Sequence, residues 1–384
     1  MFALQVAVTL ARPVSTYRLL ALDASGAALG LAAASFALPP IFLGVALGRW
    51  TERHHPGLML SGGLAVTSLS TLVLLSSRQV PVIAAATMML GIGHMAGAIG
   101  GQSIMARAQS GVARLTRFGV LTTASALGQV AGPILGGFIV GSSGEPTVGT
   151  TSEALWVATV LVAVGLAPAL VALRTTMRPS TQRIGRAAKI WTLLRIRGMG
   201  AALATSFSAK GASDLLLVYM PVLGLAIGLS SQEVGVLLGI SAAGALVARA
   251  STPFFARRMS EVRLTNRATV VAALCVLGLT TTDRLTVLVP LSVILGFALG
   301  LTQTTTMAWV VGLVEDTSRG SALGLRLATN RLGQAVVVAA AGLVAGWWGV
   351  SSAFLLLGAA MLMAAVAGAR SDRPPGTGDQ SGGA

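Results

Sequence analysis

Charged residues are scarce in this 384-residue chain, where Asp, Glu, Lys and Arg together make up 10% of the sequence. A soluble domain carries about 25% charged residues, so the composition excludes a soluble globular protein. Acidic residues are the scarcest, with 12 Asp and Glu against 27 Lys and Arg. The acids of the apolar segments do not cluster, which argues against an enzyme that uses grouped acids or metal ligands.

Metal-ligating side chains are also few. A single cysteine, Cys275, excludes a disulfide framework and a cysteine metal site. The three histidines, His54, His55 and His94, show no metal-ligand spacing. We therefore expect no metal and no cofactor. No phosphate-binding P-loop is present, which argues against direct use of ATP and leaves the proton gradient as the expected energy source.

Apolar residues, by contrast, make up 54% of the chain, and the mean hydropathy is +0.80. Apolar runs of about 17 to 28 residues recur, each long enough to cross a hydrocarbon core of about 30 Å. The runs are apolar on all sides and do not alternate as barrel strands do, so they predict membrane-spanning helices. The predicted spans are residues 2–22, 27–48, 58–76, 81–104, 118–140, 154–173, 199–226, 234–255, 265–282, 286–312, 321–346 and 350–369.

The basic residues alternate between the two sides of these spans. Nineteen Lys and Arg fall in or directly beside every second gap and in the C-terminal tail, whereas the remaining gaps hold only Arg78 and Arg284. Because positive charge collects on the cytoplasmic side, this pattern predicts twelve spans with the N- and C-termini both in the cytoplasm. Charge gathered in short gaps also argues against a nucleic-acid partner. Frequent Arg, Ala and Gly favour a bacterial plasma (inner) membrane as the location.

One long basic gap divides the spans into two sets of six. The predicted organisation is an N-terminal half at 1–173, a basic cytoplasmic linker at 174–198, a C-terminal half at 199–370 and a disordered cytoplasmic tail at 371–384. The linker carries no acid and is interpreted as lying on anionic lipid headgroups.

An internal repeat supports this division. Leu127-Gly128-Gln129 recurs as Leu332-Gly333-Gln334 at an offset of 205 residues. The segment that begins at Ser25, before the second span, matches the segment that begins at Ser230, before the eighth, at the same offset. Six spans per half give both halves the same orientation, as in parallel repeats about an axis normal to the membrane.

The most specific motif lies in the fifth span and reads GQVAGPILGG. Its small residues, Gly128, Gly132, Gly136 and Gly137, predict a close helix crossing, and Pro133 predicts a bend. The pattern resembles the antiporter signature on the fifth helix of drug–proton exporters of the major facilitator superfamily.

A second motif follows the second span. Gly48, Glu52 and Arg53 resemble the superfamily's loop between helices two and three, which forms a charge-relay latch with the neighbouring helix. The later glycine and arginines of that loop are replaced here by His55-Pro56-Gly57. The acid and one base of the latch are therefore present, and its other bases are not.

The resemblance to this superfamily covers nearly the whole chain. It implies an all-α integral membrane fold of two six-helix pseudo-repeats, working as a monomer. It also implies alternating access, in which the halves rock around a central cavity. Spans one, four, seven and ten would line that cavity most directly.

Charged residues inside a span are functional candidates because burying them in a membrane is costly. Asp214 is the only acid in the middle of a span, and Lys210 lies on the same helix face, four residues earlier. Two interpretations stay open: a mutual ion pair, or a proton-coupling role for Asp214 with exchange of its partners. Arg326, Asn330 and Arg331 of span eleven are candidate partners.

Basic residues outnumber acids within the spans, which favours an anionic, zwitterionic or neutral amphiphilic substrate over a cationic one. Arg18 and Arg249 lie near span ends and are interpreted as reaching towards the headgroups. His94 would either relay protons or pack as a structural histidine. The candidate groups of the substrate cavity are Arg12, His94, Gln303, Arg326 and Asn330.

The leading functional hypothesis is a secondary transporter that exports small hydrophobic or amphiphilic compounds in exchange for protons, and not an enzyme. The direction rests on the antiporter-like motif alone. Uptake or facilitated transport of an anionic or zwitterionic metabolite is the alternative within transport. A sensor or scaffold that transports nothing is the alternative of another class. The expected partners are a small-molecule substrate, protons and the lipid bilayer.

Overall fold

The structure, a computed structural model, describes residues 1–106, 111–141, 145–173, 190–315 and 318–371. Most of the predicted linker, at 174–189, and the tail after residue 371 lie outside the described residues. The described helices are α1 Phe2–Leu20, α2 Gly26–Ala34, α3 Leu38–Arg53, α4 Pro56–Ser76, α5 Val80–Ala106, α6 Gly111–Val140, α7 Val148–Ala172, α8 Ile190–Leu194, α9 Met199–Ala226, α10 Ser231–Ala256, α11 Glu261–Gly278, α12 Leu285–Gly312, α13 Arg319–Trp348 and α14 Val350–Ser371.

These helices form the twelve predicted spans, since α2 and α3 together make the second span and α8 is only a short turn. Within the described residues, ten segments are long and apolar enough to cross a membrane by length and composition. Helices α1 and α11 complete the set. Arg12 and Arg18 lower the hydropathy of α1, and three charged residues occupy the first two turns of α11.

The second span differs from the prediction because it is broken where the sequence predicts one continuous helix. Pro39 and Pro40 lack an N–H group and occupy the first turn of a new helix, α3. At the break, the Ser35 hydroxyl donates a hydrogen bond of 2.8 Å to the carbonyl of Ala84 on α5. Hydropathy is unaffected by such a break, so the apolar run did not reveal it. The break brings Phe36 into the wall of a cavity.

The internal repeat is reproduced as a contact within each half. A Cβ atom at Gly128 of α6 would lie 2.8 Å from the carbonyl oxygen of Phe2 on α1. A Cβ atom at Gly333 of α13 would overlap the carbonyl of Phe207 on α9. Both members of the second pair lie 205 residues after those of the first. The pairs α1–α6 and α9–α13 therefore cross in the same way, which confirms the two pseudo-repeats.

Two further crossings join the halves to each other, and the same repeat relates them. Gly137 of α6 meets Gly235 of α10, where a Cβ atom would lie 3.0 Å from the Gly137 Cα. Gly342 of α13 meets Gly30 of α2, where a Cβ atom at Gly342 would lie 2.6 Å from the Gly30 Cα. Only glycine permits such close backbone approach. Both crossings lie where α2 and α10 begin, and we call this end of the bundle the closed end.

Arg18 corrects one sequence interpretation, since it does not reach towards the headgroups. Its side chain is 1% exposed and lies inside the N-terminal half. It donates hydrogen bonds of 2.8 Å to the carbonyls of Leu75 and Ser77 and to the hydroxyl of Ser152. These acceptors, at the ends of α4 and α7, hold the guanidinium within the protein. Arg18 therefore braces three helices.

Arg18→Ala should lower the melting temperature of the purified protein. Its removal takes its donor from the part-buried carbonyl of Ser77 and leaves the carbonyl of Leu75 with only the Ser152 hydroxyl, at 3.2 Å. A buried carbonyl left without a donor costs about 1–3 kcal/mol. Arg18→Lys should restore only part of the loss, because an ammonium group lacks the planar fork of a guanidinium. Arg78→Ala removes an exposed arginine from the same end and is the matched control. Equal melting temperatures for both alanine variants would contradict the brace.

Candidate functional site

A cavity of about 540 Å³ lies between the two halves, a volume typical of small-molecule sites. Its wall is formed mainly by α1, α6, α9, α10, α12 and α13. The expectation that spans one, four, seven and ten line it holds for α1, α9 and α12. The fourth span, α5, contributes only His94, whereas α10 and α13 each contribute several side chains. Phe36 also lines the cavity and stacks on His94 of α5, with ring centroids 5.8 Å apart.

The cavity lies away from the closed end. Its lining residues lie mainly in the first half of α1 and of α13, in the middle and second half of α10, and mainly in the second half of α12. They include side chains as exposed as Leu327, at 60%, and Met307, at 48%. The two glycine crossings thus close one end of the space between the halves, and the cavity extends from mid-depth towards the other end.

A charge cluster stands at mid-depth, centred on Asp214, whose side chain is 1% exposed. Its carboxylate pairs with the guanidinium of Arg12 and, at 2.6 Å, with the ammonium of Lys210. It also accepts a hydrogen bond of 2.6 Å from the side-chain amide of Gln334. Arg12 belongs to the N-terminal half and the other three residues to the C-terminal half. The cluster therefore connects the halves and carries a net charge of +1.

The sequence-predicted partners of Asp214 require a correction. Lys210 pairs with it as expected, but Arg331 does not. Arg331 donates a hydrogen bond of 2.9 Å to the side-chain oxygen of Gln334, and this amide separates it from the carboxylate. Gln334 lies almost a full turn beyond Arg331 on α13, level with Asp214, and takes the expected place of the arginine. The sequence analysis missed Gln334, although the repeat at 205 residues pairs it with the cavity-lining Gln129 and was a signal that could have found it.

The other predicted cavity residues of span eleven bind the helices around them. Arg326 donates hydrogen bonds of 2.5 Å to the carbonyl of Gln303 and 2.9 Å to the hydroxyl of Thr306. Asn330 accepts a bond of 2.6 Å from the hydroxyl of Ser206. Asn330 lies one turn and Arg326 two turns nearer the start of α13 than Gln334, too far along the helix to meet Asp214. Both line the cavity, as predicted.

Gln303 also lines the cavity and connects two of its walls. Its side-chain amide on α12 donates a hydrogen bond of 2.9 Å to the hydroxyl of Ser213 on α9. Its backbone carbonyl accepts from Arg326 and its side-chain amide donates to Ser213, so Gln303 connects α12 to α13 and to α9.

Arg12 and His94 meet at Phe36. The guanidinium of Arg12 lies 4.5 Å from the centre of the Phe36 ring, on which His94 stacks. Both ring nitrogens of His94 are buried and have no hydrogen-bond partner within the described part of the chain. His94 packs here as an aromatic side chain at the edge of the cavity.

The antiporter-like motif packs against two helices at once. Gly128, Gly132 and Gly136 face α1, and a Cβ atom at Gly136 would lie 3.2 Å from its side chains. Gly137 faces α10 at the closed end, and Pro133 lines the cavity. The motif therefore joins the helix that carries Arg12 to the crossing between the halves.

The inner-loop motif lies apart from the cavity. Gly48, in the second half of α3, would have nothing within 4 Å of an added Cβ atom. Glu52 and Arg53 form the end of α3, and their side chains lie outside the described residues. No group of three or more His, Cys, Asp or Glu that could hold a metal occurs in the described residues.

Comparison with known proteins agrees with this architecture. The sequence model of the Major Facilitator Superfamily matches residues 1–287 and 279–384. No curated protein sequence matches the chain.

Among solved structures, a point mutant of the nucleoside transporter NupG has a TM-score of 0.81 at 15% identity, covering 97% of this chain and 99% of that one. A bacterial homologue of the human lysosomal transporter Spinster, in an inward-facing and occupied conformation, has a TM-score of 0.74 at 15% identity, covering 96% and 94%. At such identities the likeness concerns the fold.

Proposed function

The chain belongs to the Major Facilitator Superfamily, and from this premise we propose that it carries a small organic compound across a bacterial plasma membrane by alternating access. The observation that supports the proposal is a cavity between two halves whose backbones approach each other closely at the closed end. The positive-inside pattern assigns the cavity to the cytoplasmic side and the closed end to the outside. Transport then requires the glycine crossings to part and the opposite end to close.

Asp214 is our candidate for the proton-coupling group. It pairs with Arg12 of the N-terminal half and with Lys210 of the C-terminal half. Rocking of the halves moves α1 relative to α9, so it breaks the first pair and keeps the second. A proton that binds the carboxylate would neutralise the charge that attracts Arg12. Proton binding and the change of conformation would in this way depend on each other.

Export of small amphiphilic compounds is the direction that the antiporter-like motif favours. That motif connects α1 to the crossing at the closed end, so it lies between the charge cluster and the part that must open. Uptake of an anionic or zwitterionic compound is the second candidate, because the cavity carries more cations than acids. NupG is a nucleoside transporter, and a nucleoside-like metabolite therefore belongs in the test panel.

Transport can be tested in a bacterial host that lacks its own exporters. Cells with this chain should resist some members of a panel of cationic, neutral and anionic compounds, and should lose that resistance when a protonophore removes the proton gradient. Asp214→Asn should abolish resistance at equal membrane expression, whereas Arg258→Gln, on the exposed surface, should not. Accumulation of a labelled metabolite without resistance would support uptake. If no compound of the panel is transported in either direction, the sensor or scaffold hypothesis would remain.

A further inference from the structure

We propose that the cavity binds an organic anion, whose acidic group is held by the arginines of the C-terminal half: Arg249 of α10 and Arg326 and Arg331 of α13. We call these three residues the arginine group. The inference names the substrate class of the proposed transport function and rests on it, but binding can be measured without flux.

The balance of charge in the cavity is the first observation. Within the described residues, five cationic side chains line it, and Asp214 is the only carboxylate among the lining residues. Arg12 and Lys210 already share that carboxylate. The arginine group has no carboxylate partner in the described part of the chain. Three uncompensated cations at membrane depth are unfavourable until an anion joins them.

The free donors of the arginine group are the second observation. Arg326 is anchored through one nitrogen, and its Nε is buried without a hydrogen-bond partner in the described residues. Arg331 uses one nitrogen to bind Gln334. Arg249 is exposed to the cavity, and no hydrogen bond to it is described. A guanidinium can offer two parallel donors to a carboxylate or phosphate, and each of these retains free N–H groups.

Arg18 shows how a purely structural arginine differs from this group. It is fully buried, and its three nitrogens all donate to carbonyls or hydroxyls of neighbouring helices. Arg326, in contrast, is held in place at one side only, which orients its guanidinium and leaves the other side unsatisfied. Such an arrangement is suited to receive a ligand.

The remaining wall of the cavity indicates the rest of the ligand. Apolar side chains of both halves line it, including Val8, Leu216, Leu238 and Leu299, and the ring of Phe36 stands beside them. An apolar body would bury surface there, while its acidic group meets the arginine group. A cationic compound would find only Asp214, which is already paired with two cations. The ligand class is therefore an organic acid with an apolar body, carboxylate or phosphonate.

Equilibrium binding to the full-length protein in phosphatidylcholine nanodiscs tests this inference. The probes are 5-phenylpentanoate, 4-phenylbutylphosphonate, 4-phenylbutanol and 4-phenylbutylamine, which share one apolar body and differ in the charge of the head. Both acids should bind, the alcohol more weakly and the amine most weakly. Arg326→Gln and Arg331→Gln should each weaken acid binding by about 10-fold to 100-fold, the usual loss for a charge-assisted hydrogen bond. Arg258→Gln removes an equal charge outside the cavity and should leave binding unchanged.

Two further measurements separate the outcomes. Melting temperatures identify a variant that fails to fold, and Arg331→Lys, which keeps the charge without the fork, should bind acids at an intermediate level. Addition of phosphatidylglycerol to the nanodiscs separates a free organic acid from a lipid headgroup, since only a headgroup site would lose acid binding.

Three results would overturn the inference: binding of the amine or alcohol as tightly as the acids, unchanged acid affinity in both glutamine variants, or binding of neither acid to folded protein. Transport of a cation by a chain that binds no acid would overturn it and leave the proposed function standing. Acid binding without any flux would support the inference and overturn the proposed transport function.

Discussion

Replacement of Asp214 by asparagine is expected to abolish transport and to lower the free energy of unfolding by about 3–5 kcal/mol, the usual cost of breaking a buried ion pair. The carboxylate is 1% exposed and neutralises one of two cations that touch it. Asparagine has nearly the same shape but no charge, so Arg12 and Lys210 would face each other with nothing to offset them. The measurements are proton-driven flux in proteoliposomes and the melting temperature in the same lipid.

A second substitution shows whether charge repulsion causes the loss. Lys210→Met in the Asp214→Asn background removes one of the two cations, and the double variant should regain most of the lost stability. It should still not transport, because the proton-binding group is absent. If the Asp214→Asn variant melts at the wild-type temperature, the ion pairs of Asp214 do not stabilise the protein as described. If the double variant transports, Asp214 is not the proton-coupling group.

Arg12→Gln separates the coupling role from the structural one. It leaves Asp214 paired with Lys210 at 2.6 Å and hydrogen-bonded to Gln334. The carboxylate therefore keeps one cation that neutralises it and one hydrogen-bond donor, both from the C-terminal half. Stability should therefore fall less than in Asp214→Asn. Because the lost pair is the one that connects the halves, flux should fall as strongly. Normal flux in Arg12→Gln would reduce the cross-half pair to a packing contact.

The sequence was sufficient for the features that depend on one helix at a time. Hydropathy and charge located all twelve spans, and the spacing of Lys210 and Asp214 placed them on one face, where they do pair. Helix ends were less well predicted, because polar capping residues precede the apolar run. Thr147 and Ser260, for example, begin α7 and α11 several residues before the predicted spans 154–173 and 265–282.

Features that depend on how helices meet could not be derived from one sequence. Arg12 and Asp214 are 202 residues apart, and no local spacing connects them. The same holds for Arg18, whose acceptors lie on two other helices. Both arginines interrupt one apolar helix, yet one faces the cavity and the other faces the interior of a half. Only the packing of α4 and α7 against α1 distinguishes them.

Gly137→Leu should reduce flux at least as strongly as the charge variants, through the closed end instead of the cavity. A Cβ atom at Gly137 would overlap the carbonyl of Ser231 and lie 2.9 Å from the Gly235 Cα, so any side chain must push α6 and α10 apart. The state that is closed at this end then becomes unfavourable, and each 1.4 kcal/mol of penalty lowers its population about tenfold. Gly119→Leu is the matched control, because an added Cβ atom on the same helix meets nothing within 4 Å.

Cysteines at positions 141 and 232 would report on the closed end directly, since the Gln232 amide lies 3.5 Å from the Gly141 carbonyl. In a Cys275→Ser background we expect rapid cross-linking, slowed by Gly137→Leu and unaffected by Gly119→Leu.

Gly342→Leu should likewise reduce flux and slow this cross-linking, because the crossing of Gly342 with Gly30 is the counterpart of the first at an offset of 205 residues. Equal loss of flux in both leucine variants means that the closed end must form during each transport cycle. Loss at Gly137 alone would limit the effect to packing between α6 and α10, and unchanged cross-linking in both would contradict the closed end as a moving part.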